Sequence, residues 1–326
     1  MKRIKRALLF LFAIVLTFLS PVSSYKTAAA QKVPSLDAKV TVNNIKALLK
    51  KYDPDGAYIM ERQIAAGDDI CVWFSEKDRI IDSIETAVHE ETHGYSFHYA
   101  GHYNQTAYFV GKKNTIHVTH TKVFRSKMMA GSIPKRLRTF RYNTYVAKPS
   151  ANLASDVQGA YGLLNEFMAY QRGMNTVVLL FPYLKKQGAD WNAWRKYVSG
   201  GENGRQAYSE FKYYILHYLY FAKKHYPDVY NGIVNNRQFC RVYRTLEKNF
   251  RKCIKQYEGD LEQLKQIVDA NPGYWLEVTD EHIMLYNDYG GVGMGRFTKN
   301  YRKLCEEISK KKYKSIHNTL VKKGAR

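Results

Sequence analysis

His89-Glu90-Glu91-Thr92-His93 is the stretch that most constrains what this chain can fold into. Positions four apart stack on one face of an α-helix, so a helix through this stretch aims both imidazoles at one point, with Glu90 beside them. Two neutral imidazoles and one further donor suit Zn2+ and leave a position open, where water loses a proton near neutral pH. The surrounding residues have the required spacing. Ile80, Ile81, Ile84 and Val88 form an inward stripe, while Thr86, His89, Glu90, His93 and Phe97 share the other side. Ser75, with Asp78 three residues on, reads as a capping box that opens this helix.

A third donor has to come from elsewhere. Ser155 or Asp156 caps a second expected helix over residues 157–171, closed by Gly173, which carries Leu163-Leu164-Asn165-Glu166-Phe167-Met168-Ala169-Tyr170. Glu166 stands among apolar neighbours at helical spacing, and an unpaired buried carboxylate is costly unless something positive sits opposite. A metal would fill that role; a surface-facing Glu is the ordinary alternative. His98 and His102 compete as third ligand.

With both stretches in view, the chain resembles a zincin of the gluzincin type, in which His-Glu-x-x-His is joined by a glutamate on a downstream helix, in aminopeptidases within Leu-Asn-Glu-x-x-Ala. Leu164-Asn165-Glu166-Phe167-Met168-Ala169 matches that pattern. The resemblance implies His89, His93 and Glu166 as zinc ligands and Glu90 as general base in peptide-bond hydrolysis. It also implies an α+β, mainly helical fold of zincin-like, two-lobed architecture, with short β-hairpins before and after the active-site helix and a helical C-terminal lobe. The chain departs from the pattern in two ways. His93 and Glu166 are 73 positions apart, longer than in thermolysin-like enzymes, and Tyr170 stands where those place an Asp that orients a ligand His. The metzincin extension would need Gly at 96 and His at 99, where Ser96 and Tyr99 stand. An oxyanion donor is also required, and His282, Tyr286 and Tyr142 are the candidates.

The N-terminus has the three-part build of a secretory signal peptide over residues 1–30: Lys and Arg up to Arg6, 13 mostly apolar residues from Ala7 to Leu19, then small residues to Ala30. The apolar run is short for a span of about 20 residues, so cleavage and a secreted or extracytoplasmic chain are expected. The formal charge of +22 falls to +17 once the five Lys and Arg of the leader are removed. Such a balance predicts attraction to an anionic cell-surface polymer or lipid, beside the peptide or protein substrate, with no specific nucleic acid expected. Residues 92–155 hold ten Lys/Arg and no acid, which reads as a basic rim over the cleft. The rival to the peptidase is therefore a basic extracellular surface-binding protein with an inactive zincin-like fold.

Hairpins are expected at residues 57–64 with 69–74, and at 107–110 with 115–121 around Gly111-Lys112-Lys113-Asn114. Residues 31–155 are expected to form a mixed lobe, and 156–326 a helical one in which Gly200-Gly201-Glu202-Asn203-Gly204 separates helices and Gly290 to Gly295 is a flexible loop. Cys71, Cys240, Cys253 and Cys305 permit two disulfides in three pairings or four free thiols, and show no CxxC spacing. The 27 tyrosines are best read as core residues of packed amphipathic helices.

Overall fold

Asp53 turns the chain from its first helix into its second. Its N–H closes α1 (Val42–Tyr52) on Leu49, while its carboxylate accepts from Gly56 N and caps α2 (Pro54–Ala65), whose Pro54 sits in the first turn. A computed structural model describes residues 32–293 and 295–325; the expected leader lies outside the described residues. Residues 57–64 and 69–74 are thus not a hairpin. Gly56, Met60 and Gln63 are buried at helical spacing in α2, and Ile70–Trp73 forms one 3-10 turn.

Next comes α3 (Ile80–His98), the helix of the His-Glu-x-x-His stretch. Its N-terminus is capped by Asp82, whose carboxylate accepts from Arg79 N at 2.9 Å; Ser75 and Asp78 form a separate turn just before it. Strands β1 (Gln105–Gly111) and β2 (Asn114–Thr119) pair antiparallel as the sequence suggests, Tyr108 opposite Ile116. Lys112 and Lys113 take positive φ in the turn, held there by the Asp55 carboxylate, which accepts both of their N–H groups.

After irregular chain and the short α4 (Ala154–Val157) comes α5 (Ala160–Leu179), buried along almost its whole length between α3, β1 and the later helices. A helix buried on every side belongs in the centre of a fold, and the polar residues it carries there, Asn165, Glu166, Gln171 and Arg172, need partners. Gly173 does not close it. A Cβ there would lie 3.2 Å from Glu85 Cγ and 3.3 Å from the Glu85 carbonyl oxygen, tighter than ordinary contact, so the glycine eases the close approach of α3 and α5. α6 (Phe181–Lys186) leads into α7 (Trp191–His225), which runs unbroken through its glycines. A Cβ at Gly201 would lie 2.1 Å from the Tyr257 ring, and one at Gly204 2.6 Å from Met174. These glycines mark helix crossings rather than turns.

Then follow α8 (Pro227–Asn235) and α9 (Arg237–Asp269), the latter one unbroken helix. A three-stranded antiparallel sheet comes from β3 (Tyr274–Val278), β4 (Ile283–Asn287) and β5 (Gly290–Gly293). The expected glycine loop is therefore partly a strand, and Gly291 makes room for the Tyr286 ring opposite it. The chain ends with α10 (Gly295–Ser309) and α11 (Lys311–Lys323).

The fold is α+β and mainly helical. Residues 33–326 make one unit, and a single hydrophobic cluster runs from Ile45 to Leu320. Nine of its largest fully buried side chains are tyrosines, most with the hydroxyl satisfied, as Tyr108 is by the Tyr161 carbonyl at 2.7 Å. All four cysteines are free thiols. Among the described residues, no helix is long and apolar enough to cross a membrane.

Candidate metal centre

Helices α3 and α5 meet face to face, and three side chains converge where they do. One ligand atom each from His89, His93 and Glu166 lies within 4.8 Å of the other two. His89 and Glu166 are buried, and the two imidazole rings stand edge to face with centroids 4.9 Å apart. Glu166 Oε2 is 3.4 Å from His93 Nε2, yet this buried oxygen makes no well-directed hydrogen bond. A donor set of two imidazoles and one carboxylate, with an orphaned carboxylate oxygen facing the rings, fits a divalent cation such as Zn2+.

The remaining contacts fix the rings. His93 Nδ1 meets Asn165 Oδ1 at 2.5 Å, so Asn165 accepts the Nδ1 proton and leaves Nε2 to face Glu166. Burial, with the positive charge of His93 and Arg141, pushes His89 well below its ordinary range and keeps it neutral, as a ligand must be. Burial acts in the same sense on His93, but the Glu166 carboxylate and the Asn165 hydrogen bond outweigh it and raise the group to about 8. A metal entering the site therefore displaces a proton from His93.

Glu90 stands at the edge of this group, its Oε1 4.0 Å from His89 Nε2 and its side chain 38 % exposed. Partial burial raises its carboxyl group; His93 works against the rise, while Glu166 and Glu91 add to it. Glu91 points elsewhere, accepting from Trp73 Nε1 at 2.7 Å. His98 lies 3.5 Å from Asp68 and His102 is exposed, so neither joins the ligand group.

Two tyrosines complete the surroundings. The Tyr170 ring packs against His89 at 4.3 Å between centroids, and its hydroxyl is 3.2 Å from that of Tyr145. Burial and then the Glu166 charge raise the Tyr145 phenol, so it stays a proton donor within electrostatic reach of the centre. Arg141 lies over the Tyr170 ring at 4.4 Å, and its guanidinium is anchored to Glu210 at 2.6 Å and to Asn203. Asn203 in turn donates to Glu85, one turn before His89. The oxyanion candidates drawn from sequence have other partners: Tyr142 donates to the Ala130 carbonyl, and both His282 and Tyr286 engage Glu277.

Tyr170 was legible, since it lies one helical turn beyond Glu166. Tyr145 and Arg141 were not, because they come from chain without regular periodicity. Compared with protein-family models, curated proteins and solved structures, the chain shows no match.

Proposed function

We propose that the chain is a zinc-dependent metallopeptidase with zincin-like architecture, in which His89, His93 and Glu166 hold Zn2+ and Glu90 is the general base. The observation that carries this reading is the meeting of three ligand atoms from helices 73 positions apart in sequence, beside a half-exposed carboxylate. The metal, when bound, supplies Lewis acidity toward a carbonyl oxygen and makes water a nucleophile near neutral pH. The residues of the chain do the rest. Glu90, its carboxyl raised by partial burial, takes the proton of the attacking water and returns it to the leaving amine. Tyr145 and Tyr170, their phenols raised by burial and their hydroxyls 3.2 Å apart, would donate to the oxygen that gains charge. Asn165 holds the His93 ring in its ligand orientation. The basic, apolar, small-residue leader supports an extracytoplasmic site of action.

Metal analysis of the purified protein is the first test: about one zinc per chain is expected, lost in His89→Ala. Glu90→Gln should keep the zinc and lose hydrolysis of a casein or peptide-library substrate. Turnover retained in that variant refutes the assigned base. Wild-type protein that holds zinc and cleaves nothing leaves the rival, a basic surface-binding protein with an inactive zincin-like site.

A further inference from the structure

Four of the ten cations of residues 92–155 are not the free positive surface their sequence suggests. Lys122, Arg125, Arg136 and Arg141 are paired at 2.6–2.7 Å with Asp228, Asp156, Glu307 and Glu210, acids brought in from later in the chain. Charge outside any ion pair also lies on α9. Arg241, Arg244 and Lys252 are exposed and, among the described residues, none of them is in an ion pair.

These cations line two clefts, of about 560 and 650 Å3, which share Arg241. The first lies between the β1–β2 hairpin and α9, and adds Lys112 and the buried Arg172, which is paired with Asp53 at 2.9 Å and whose Nε has no hydrogen-bond partner. Its one carboxylate, Asp55, is already engaged by the Lys112 and Lys113 N–H groups. Among the described residues the second adds Arg244, Lys323 and Arg237, the last with an interaction of its own, and no acid. The residues of α9 that line the pair, Arg237 to Gln256, extend for about 28 Å at the rise of an α-helix.

We propose that this trough binds a linear anionic polymer without bases, a chain carrying phosphate or carboxylate at its repeats. The length suits a chain rather than a single ion. The concave form, walled by a hairpin, does not suit a bilayer surface. Among the described residues neither cleft has a Phe, Tyr, Trp or His in its lining, so no aromatic ring there stacks on nucleobases as in single-strand binders. The trough is separate from the metal centre, since its α5 residues Gln171, Arg172 and Asn175 lie on the face opposite Glu166 and Tyr170.

The test measures binding of labelled long-chain polyphosphate and of a polyuronate to the full chain at about 0.1 M salt, with single-stranded DNA and phosphatidylglycerol vesicles alongside. The two polymers distinguish a phosphate from a carboxylate source. Arg241→Glu with Lys252→Glu should weaken polymer binding by about tenfold or more, while Lys185→Glu with Lys186→Glu, an equal charge change at exposed positions of α6, should alter it less than about twofold. Equal losses in the two double variants, absence of binding to both polymers, or DNA or vesicles bound as tightly as the polymers would each overturn the proposal.

Discussion

Replacing Asn165 by Ala tests how the proposed metal centre would be held, because it removes a single contact and none of the proposed ligands. In the structure, Asn165 Oδ1 accepts from His93 Nδ1 at 2.5 Å. Without that acceptor the neutral imidazole is free to carry its proton on Nε2, the nitrogen that faces Glu166, and the ring loses its orientation. Loss of such a partner typically weakens metal affinity by about 10–100-fold, or about 1.4–2.8 kcal/mol. One effect works the other way. Asn165 helps to raise His93 to about 8, so its removal also weakens proton competition with the metal at neutral pH. The assay should therefore run near pH 9, about one unit above that value, where His93 is deprotonated in both proteins. Competition with a chromophoric zinc chelator gives the affinity, and circular dichroism checks that the variant is folded. Asn165→Asp keeps an acceptor and should hold or tighten the metal. A folded Asn165→Ala protein with affinity within about twofold of wild type would show that Asn165 does not orient His93.

Three further outcomes follow from the packing and the buried charges. Gly201→Ala puts a methyl group 2.1 Å from the Tyr257 ring, so α7 and α9 must move apart; a loss of about 1–3 kcal/mol is expected in urea unfolding, partly recovered by Tyr257→Leu, and an unchanged midpoint would refute the close crossing. Asp53→Ala leaves Arg172, only 3 % exposed, without its nearest carboxylate and uncaps α2; thermal and urea unfolding should register about 3–5 kcal/mol, and a loss under about 1 kcal/mol would mean that Asp55 takes over the pairing. His217 is held neutral to about 4 by burial and then by Lys312, against the opposing charge of Glu307. In the unfolded chain it protonates near 6.5, so between those values the unfolded state binds the extra proton and stability falls as pH drops. The contribution, about 3 kcal/mol, is complete above pH 6.5 and lost toward pH 4; the slope of stability against pH over that range should flatten in His217→Gln, and an unchanged slope would refute the assignment.

Much of the site was legible because a helix imposes its own geometry. Once residues 80–98 are helical, His89 and His93 must share a face, and once Glu166 is on a helix among apolar residues its carboxylate needs a positive partner. The hairpin at Gly111 was equally plain, since alternating residues flank a short polar turn. The errors came from reading glycine as punctuation. Gly173, Gly201 and Gly204 lie inside long helices because another helix passes too close for a side chain, a cause that acts across the fold and leaves no local trace. The misread segment at 57–64 has a local cause. The Asp53-Pro54 start is a helix N-terminus, and it competes with the β-rich residues that follow and wins.

The same long-range effect decides where charge is available. Read along the chain, residues 92–155 are a long basic segment without an acid, but folding pairs four of their cations with acids from other parts of the sequence. Arg241, Arg244 and Lys252 of α9 stay outside any ion pair, among the described residues, for a reason visible in their spacing. Phe239, Val242, Leu246, Phe250 and Ile254 turn one face of that helix inward, which leaves Arg241, Arg244 and Lys252 exposed. Helix α5 lies between the two regions, giving Glu166 and Tyr170 to the metal centre on one face and Arg172 to the cleft on the other. A ligand in the cleft and a metal at the centre would therefore press on opposite sides of one buried helix. The Asp53–Arg172 pair fixes that helix against the α1–α2 corner, so Asp53→Ala should disturb both regions together, whereas Arg241→Glu should affect the cleft alone.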